Sequence, residues 1–522
     1  KQGTLWCKLG FLLLYKVAST KEISAVSNST RNQTMRLIKL ITFMVVISIA
    51  NLYSFAADDF ESAPTREELL ARPNVKGALT AIDAWIEGNR IYDQIPGISV
   101  GIVHNQELLW SKSYGYANLE SLRPADADTL YSVCSISKVF TAIGVMQLRD
   151  KGQLYLRDPV NKHLSWFDIK QQHEQSGPVT IEGLLTHSSG LPREARFDYW
   201  ANDLDFPTRD QLINSVGEQE TLYPAHRYFQ YSNLGFTLAG EIIQALSGQD
   251  YTEYMEENVL IPLRLNDTRT HYPEELRGQQ LAIGYDGLGR SRSREPTEPF
   301  FTKAITPAAG YTSSVNDLAK FIIWQFKLLD GAEEHVLNPH TLQEMHRVHW
   351  VNPDWSATWG LGFVARRQGE RTLAGHTGSC PGYQTNFSMD VDKRLGVIVL
   401  TNAGDGQPAR LVDNIIATLR PELEKPAPDS EEEIPDLSVF EANFSNQHWG
   451  GETAVRQWGN GMVAISIPSR SLTMQKLKHD QDNRFYREND IGLRNAVISI
   501  ELDQSGEAYR MKTNDSYRYS ID

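Results

Sequence analysis

The chain has 522 residues, enough for roughly two to four domains. With 41% hydrophobic and 22% charged residues it has the composition of a globular protein with a sizeable core. The formal charge of −14 is unevenly placed: residues 1–57 carry seven Lys/Arg against one Glu, leaving −20 on the remainder. An acidic body without a basic cluster excludes an electrostatic nucleic-acid binder.

The basic start has its own reading. Met35-Arg-Leu-Ile-Lys39 precedes an apolar run to Ala50, then Ser54-Phe-Ala-Ala57. A positive n-region, a short h-region and a small-x-small site make residues 35–57 a signal peptide cleaved near Ala56. The mature protein is therefore expected to be exported, periplasmic or secreted. The run is too short, and too soon interrupted by Asn51, for a transmembrane helix. Residues 1–34 read as an upstream lead outside the fold. Cys7 falls in that lead, so Cys134 and Cys380 remain, which is no disulfide framework. Two small buried thiols are the simpler reading. Both flank candidate site residues, so a bridge in an oxidising compartment stays open.

Residues 75–86 carry apolar side chains at helical spacing. Residues 97–103 and 107–116 predict a hairpin joined at His104-Asn105. Tyr131-Ser-Val-Cys-Ser-Ile-Ser-Lys138 follows. From Ser135 onward Val139, Ile143 and Met146 recur at helical spacing, and Gly152 is a stop. Residues 180–191 predict a short helix ending in a Ser-Gly loop, and 205–306 helices broken by polar loops. Residues 310–321 read as a loop, an N-cap-like Ser314 and an amphipathic helix. Residues 372–402 alternate strand-like runs, and 411–419 close as a helix. Strands at both ends of residues 75–420 thus bracket a mostly helical middle. The expected fold class is α+β: an antiparallel sheet flanked by helices, beside a helical subdomain, with a cleft between. Residues 421–435, rich in Pro and acid, read as a semi-rigid linker. Residues 436–522 alternate apolar and polar positions around turns such as Gly459-Asn-Gly461, a small all-β domain forming a sheet or partial barrel.

Ser135 and Lys138 are three apart and share a helix face. A serine hydroxyl needs a base, and a lysine serves once burial or a nearby cation lowers its pKa. A place in the first helical turn adds N–H groups suited to an oxyanion. Alone, S-x-x-K is weak, since chance gives about two in such a chain. Tyr231-Ser-Asn233 lies just before a predicted helix over 234–246. A tyrosinate beside a lysine ammonium can act as general base and then as acid. The Asn233 amide can hold both Lys138 and a substrate carbonyl. Tyr116-Ala-Asn118 has the same letters and is read as structural. His376-Thr377-Gly378 opens a strand-like run facing the nucleophile, where Gly378 allows close approach. The Ser379 N–H can join that of Ser135 in an oxyanion hole. Gly97-Ile-Ser99-Val-Gly101 matches the letters of a nucleophile elbow, but it lies in a predicted hairpin strand with no helix after it. His346-Arg-Val-His349 lacks the Glu of a zincin and reads as helix surface. No metal or other cofactor is expected.

In this order, Ser135-x-x-Lys138, Tyr231-x-Asn233 and His376-x-Gly378 resemble the serine β-lactamase-related family. That family spans class C β-lactamases, DD-peptidases, D-aminopeptidases and family VIII carboxylesterases. Leu184-Leu-Thr-His-Ser-Ser-Gly-Leu191, Pro307-Ala-Ala-Gly-Tyr-Thr-Ser-Ser-Val-Asn-Asp-Leu318, Trp359-Gly-Leu-Gly-Phe363 and Leu400-Thr-Asn402 are similar too. The resemblance covers residues 75–420. It implies a β-lactamase/transpeptidase-like fold and an acyl-enzyme on Ser135, with Lys138 and Tyr231 as acid/base pair. It also implies Asn233, His376, Thr377, Gly378 and Ser379 toward substrate, no metal, and a small ester, β-lactam or D-amino-acid peptide as substrate. Residues 436–522 resemble the lipocalin-like module appended to some members. One departure matters: β-lactamases and DD-peptidases usually carry Lys-Thr-Gly where this chain has His376-Thr-Gly. A histidine, mostly neutral at pH 7, is a poor anchor for a substrate carboxylate. The expected function is an exported serine hydrolase, carboxylesterase- or D-aminopeptidase-like. The alternatives are a penicillin-binding DD-carboxypeptidase or β-lactamase and, in another class, an inactive cell-wall-binding scaffold.

Overall fold

A computed structural model describes residues 64–522 apart from 202, 333–335, 357, 370, 427–433, 489–491 and 515. The signal peptide and lead expected over residues 1–57 lie outside the described residues. Among the described residues no helix is long and apolar enough to cross a membrane.

Six helices position the features that matter: α1 (Pro73–Tyr92), α2 (Ser137–Asp150), α3 (Ile181–Leu185), α4 (Asn233–Ser247), α5 (Val315–Leu329) and α6 (Pro408–Leu423). Strands β1 (Gly97–His104) and β2 (Glu107–Asn118) form the expected hairpin, with Asn105 in the left-handed conformation its short polar side chain tolerates. The other long strands are β3 (Val364–Gln368), β4 (Arg371–Cys380), β5 (Tyr383–Asp390) and β6 (Leu395–Thr401). They assemble in the order β2-β1-β6-β5-β4-β3, all antiparallel, with Arg123–Pro124 beside β2 and Thr358–Trp359 and Trp350–Val351 beyond β3. The central pair joins the two ends of the domain, Ile98 lying opposite Thr401.

Strand β6 is buried along its whole length. Val397 and Val399 pack into the core under α1 and α6, while Ile398 and Leu400 face the core shared with α5 and the helical middle. A strand covered on both faces has to be continuously apolar, as Leu395-Gly-Val-Ile-Val-Leu is. Helix α5 begins where expected, the Ser314 hydroxyl accepting from the Asp317 N–H.

Several expectations need correction. Helix α2 begins at Ser137, and Ser135 sits just before it in a 3-10 turn, Cys134–Ile136. Cys134 has a φ of 51°, so the α-helical ladder cannot run back through it. His376 lies in the middle of β4 rather than at its start. Helix α6 continues to Leu423, three residues into the stretch read as linker, because buried Leu419 and Glu422 anchor its last turn around Pro421. Residues 427–433 of that stretch lie outside the described residues. His346 is buried rather than on a helix surface, its Nε2 hydrogen-bonding Gln325 Oε1 at 2.9 Å, and His349 lies beyond that helix against the Glu344 carbonyl. Among the described residues no group of three or more His, Cys, Asp or Glu could hold a metal ion. Ser99 is buried in mid-strand, its hydroxyl shared between Tyr131 and the Asp126 carbonyl, as the hairpin reading requires.

The C-terminal segment forms a closed barrel of eight strands: β7 (Ala442–Ser445), β8 (Glu452–Trp458), β9 (Gly461–Ile467), β10 (Met474–Gln481), β11 (Arg484–Glu488), β12 (Arg494–Leu502), β13 (Ala508–Thr513) and β14 (Ser516–Ser520). Closure comes from β7 pairing with β14. The barrel is not held by the linker alone. Ala454, Val463, Ile465 and Ile467 on its outer wall belong to the same apolar cluster as α1, α6 and the sheet. Gly77 of α1 admits this approach, since a Cβ there would stand 2.9 Å from Trp458 Cα.

Candidate active site

The turn bearing Ser135 is held from three directions. Ser137 Oγ donates to the Cys134 carbonyl at 2.5 Å and accepts from the Tyr311 N–H at 3.0 Å. The Ile136 N–H donates to the Val133 carbonyl at 3.1 Å. Cys134 is disulfide-bonded to Cys380 at the end of β4, so the simpler reading of two free thiols is corrected. The partners are 246 residues apart in sequence, and only folding brings their Cα atoms to 5.9 Å. The bridge ties the turn that bears Ser135 to the strand that carries His376, Thr377, Gly378 and Ser379. It also braces a left-handed non-glycine residue, a conformation that costs about 1–3 kcal/mol.

Lys138 sits in the first turn of α2, fully buried. Its Nζ donates to Ala308 O at 2.7 Å, Asn233 Oδ1 at 2.8 Å and Ser135 Oγ at 3.2 Å. Three acceptors match the three N–H bonds of an ammonium. In the neutral amine the first two, which can only accept, claim both N–H bonds, and the lone pair is left facing Ser135. Burial pushes Lys138 well below its usual pKa; the Glu194 carboxylate pulls it back and Arg193 lowers it further.

Asn233 is the first residue of α4, capped by Ser232, whose hydroxyl accepts from the Gly235 N–H. Its amide can face only one way, because Nδ2 donates to both oxygens of Glu194, at 2.7 and 3.0 Å, and a carboxylate only accepts. Glu194 also accepts from the Tyr199 hydroxyl, while the Asn233 N–H donates to the Arg193 carbonyl at 2.7 Å.

Tyr231, in the loop before α4, is half-buried, with the Ser135 hydroxyl near its own and Lys138 Nζ 4.9 Å from its ring centroid. Loss of water around its hydroxyl raises its pKa, and the polar Ser135 side chain nearby only partly offsets this. The protons are thus distributed differently from the tyrosinate and ammonium read from the sequence: burial favours a neutral phenol beside a lysine poised to lose its proton. The Tyr231 ring stacks on His187 at 4.1 Å, and His187 Nδ1 accepts from the Ser232 N–H at 3.0 Å. Trp359 closes the wall, edge-on to both His187 and His376.

On β4, Thr377 and Ser379 are exposed while His376 and Gly378 face inward. His376 is 3% exposed, its Nδ1 bonded to the Thr377 carbonyl at 2.6 Å and its Nε2 without a partner. Burial, and then the charge of Lys138, push its pKa down to about 3. Gly378 is obligatory: a Cβ there would lie 2.1 Å from the Val133 carbonyl, next to the turn that bears Ser135. Ser379 Oγ accepts from Gln384 at 2.8 Å.

The fold therefore gathers Ser135, Lys138, Tyr231 and Asn233 into one contact network, sets His376 behind it, and runs Thr377–Ser379 alongside. It leaves Asn118 outside, accepting from the N–H groups of its own turn. Sequence reasoning assigned no role to His187, Glu194, Trp359 or the Ala308 carbonyl. Three of these lie in stretches already noted for their resemblance, Thr-His-Ser-Ser-Gly, Pro-Ala-Ala-Gly and Trp-Gly-Leu-Gly. Glu194 carried no such signal.

Comparison with known proteins agrees with this geometry. Protein flp from Staphylococcus aureus strain MW2 is 27% identical over 339 residues, 64% of this chain and 65% of that protein. Beta-lactamase-like protein 2 from Dictyostelium discoideum is 26% identical over 335 residues, 62% of this chain and 59% of the other. The chain thus matches just under two thirds of the length of these relatives. Among solved structures, the octameric penicillin-binding protein homologue from Pyrococcus abyssi is similar at a TM-score of 0.58 and 26% identity, over 84% of this chain and 99% of that one. A D-stereospecific amidohydrolase from Streptomyces shares the fold at a TM-score of 0.53 and 23% identity, over 64% of this chain and 97% of its own. The family model described as Beta-lactamase matches residues 82–420, from within α1 to within α6 and so across the whole sheet and every residue of the Ser135 network, and the chain belongs to that family.

Proposed function

We propose that the protein is an exported serine hydrolase that cleaves an ester or amide through an acyl-enzyme on Ser135. The observation that carries this is the setting of Lys138: an amine buried enough to lose its charge, with two obligate acceptors turning its lone pair toward Ser135 Oγ. As Oγ bonds to the substrate carbonyl carbon, its proton passes to Lys138. The N–H groups of Ser135 and Ser379 receive the oxyanion. The carbon–leaving group bond then breaks, and the leaving group takes a proton from Lys138 through the Tyr231 hydroxyl. Water attacks the acyl ester by the reverse route, giving up a proton to the same pair and freeing Ser135. Asn233 and Thr377 border the substrate.

The neutral His376 favours esters, or peptides cut in the manner of a D-aminopeptidase, over substrates anchored by a carboxylate. A second reading, a penicillin-binding DD-carboxypeptidase or β-lactamase, draws on the likeness to a penicillin-binding protein homologue. Intact-mass spectrometry after a fluorophosphonate, and separately after a penicillin, tests both on wild type and Ser135→Ala. A fluorophosphonate adduct lost in the variant supports the proposal. Stable penicillin labelling of Ser135 moves the balance to the second reading. No adduct from either reagent refutes the hydrolase and leaves the inactive scaffold.

A further inference from the structure

The barrel has two unlike ends. One is filled: Phe444, Val455, Met462, Phe485 and Ile500 are buried and packed together. Toward the other end the interior opens into a cavity of about 330 Å³, near the lower limit of ligand-sized pockets. Its floor is apolar, made by Leu477, Ile498 and Met511, each nearly inaccessible. Its walls carry two guanidinium groups, Arg487 from β11 and Arg518 from β14, strands that are not neighbours in the barrel.

Neither arginine is neutralised within the described residues. Arg487 Nη1 donates to Gln475 Oε1 at 3.0 Å, and its Nε is buried with no acceptor. Arg518 Nη1 donates to Thr453 Oγ1 at 2.8 Å. Both acceptors are uncharged, and among the described residues no carboxylate lines the cavity and no ion pair involves either side chain. Other arginines of the barrel behave differently: Arg510 pairs with Glu501 and Arg494 with Asp480, on the outside. Two like charges converging on one partly desolvated space, with N–H groups left over, is an unfavourable arrangement that an anion would relieve. The guanidinium fork fits the planar or tetrahedral oxygens of a carboxylate or phosphate.

We propose that the barrel cavity binds an amphiphile with one anionic head, held by Arg487 and Arg518, and a short apolar tail resting on Leu477, Ile498 and Met511. The site is separate from Ser135 and does not depend on the hydrolase reading.

The test is isothermal titration calorimetry on the full chain with octanoate, octyl phosphate and octanol. Saturable one-to-one binding of octanoate or octyl phosphate is expected, and the tighter of the two identifies the head as carboxylate or phosphate. Octanol should bind at least tenfold more weakly. Octanol binding as tightly as both anions, or no saturable binding by either anion, overturns the proposal without recourse to any variant. The Arg487→Gln/Arg518→Gln variant should weaken the preferred anion at least tenfold without lowering the melting temperature of the ligand-free chain. A correctly folded variant with unchanged affinity also overturns it.

Discussion

Glu194 lies one residue removed from the chemistry, yet the network makes it decisive. Its carboxylate receives both hydrogen bonds of the Asn233 Nδ2, and that fixes Oδ1 toward Lys138. In Glu194→Ala the amide is free to turn, Nδ2 then faces Nζ, and the lysine lone pair is drawn away from Ser135. Hydrogen bonds to a charged group contribute about 1.5–3 kcal/mol each. Loss of half of that preorganisation in the transition state predicts a fall in kcat/KM of roughly 10- to 100-fold. Glu194→Gln separates geometry from charge. Its carbonyl still accepts from Asn233, so kcat is largely retained, but the negative charge that raises the Lys138 pKa is gone. The proposed reaction needs the free amine, so the acid limb of the kcat/KM profile would report Lys138 losing its proton. With a lower pKa that limb moves to lower pH. The assay is p-nitrophenyl acetate hydrolysis from pH 5 to 10 with both variants. Wild-type kcat/KM in Glu194→Ala, or an acid limb in Glu194→Gln that stays put or moves up, would refute the reasoning.

Four further outcomes are expected. His376→Lys places a second ammonium beside Lys138; turnover of carboxylate-bearing substrates should rise on the order of tenfold relative to neutral esters, and an unchanged ratio removes His376 from substrate selection. Cys134→Ser/Cys380→Ser opens a closed loop of 246 residues; the chain-entropy model puts the loss at up to about 5 kcal/mol, read as a lower denaturation midpoint, and an unaltered midpoint would mean that the bridge adds nothing. His104, His346 and His376 are held down to about 4, 3 and 3 by burial first, so only the unfolded chain takes up protons as the pH falls below 6.5. Stability is therefore full above that pH and declines toward pH 4 by about 1.4 kcal/mol per unit per histidine; denaturant melts at pH 7.5 and 5 should show His346→Gln losing about 2 kcal/mol less than wild type over this interval, and parallel losses would count against it. Gly77→Val drives a side chain into the Trp458 backbone and should cost about 1–3 kcal/mol, splitting a single thermal transition into two as the barrel loosens; a wild-type melt would show that the contact is dispensable.

How far the sequence could be read followed the range of the interactions involved. The β1–β2 hairpin and the Ser314 cap rest on neighbouring residues, and both are present. The meeting of Ser135, Lys138, Tyr231 and Asn233 was legible because their spacing belongs to a recurring pattern. Barrel closure was not: it depends on Phe444 and Ser445 meeting Ser520 and Tyr519, and nothing in either strand names the other. The disulfide escaped for the same reason, since two cysteines so far apart carry no local sign of pairing. Ser135 was placed in the helix rather than two residues before it because apolar spacing after Val139 says nothing about a left-handed Cys134. Glu194 sits in an aperiodic Pro-Arg-Glu loop, where only the position of α4 shows what its carboxylate holds.

The pairing of β1 with β6 sets the timetable on which this chain can fold. Ile98 cannot meet Thr401 until the ribosome has passed residue 401. At 5–20 residues per second that interval is roughly 15–60 s, far longer than the microseconds in which the β1–β2 hairpin itself can close. Throughout it, the inner edge of β1 has open backbone groups flanked by Ile98, Val100 and Ile102, a template for any other strand. The helical middle is made in the meantime and can collapse early, but the sheet that carries Ser379 past Ser135 is among the last parts to form. Overexpression should therefore fail first by aggregation of nascent chains, and a lower concentration of nascent chains or a holding chaperone should raise the soluble yield more than any mutation that stabilises the finished fold.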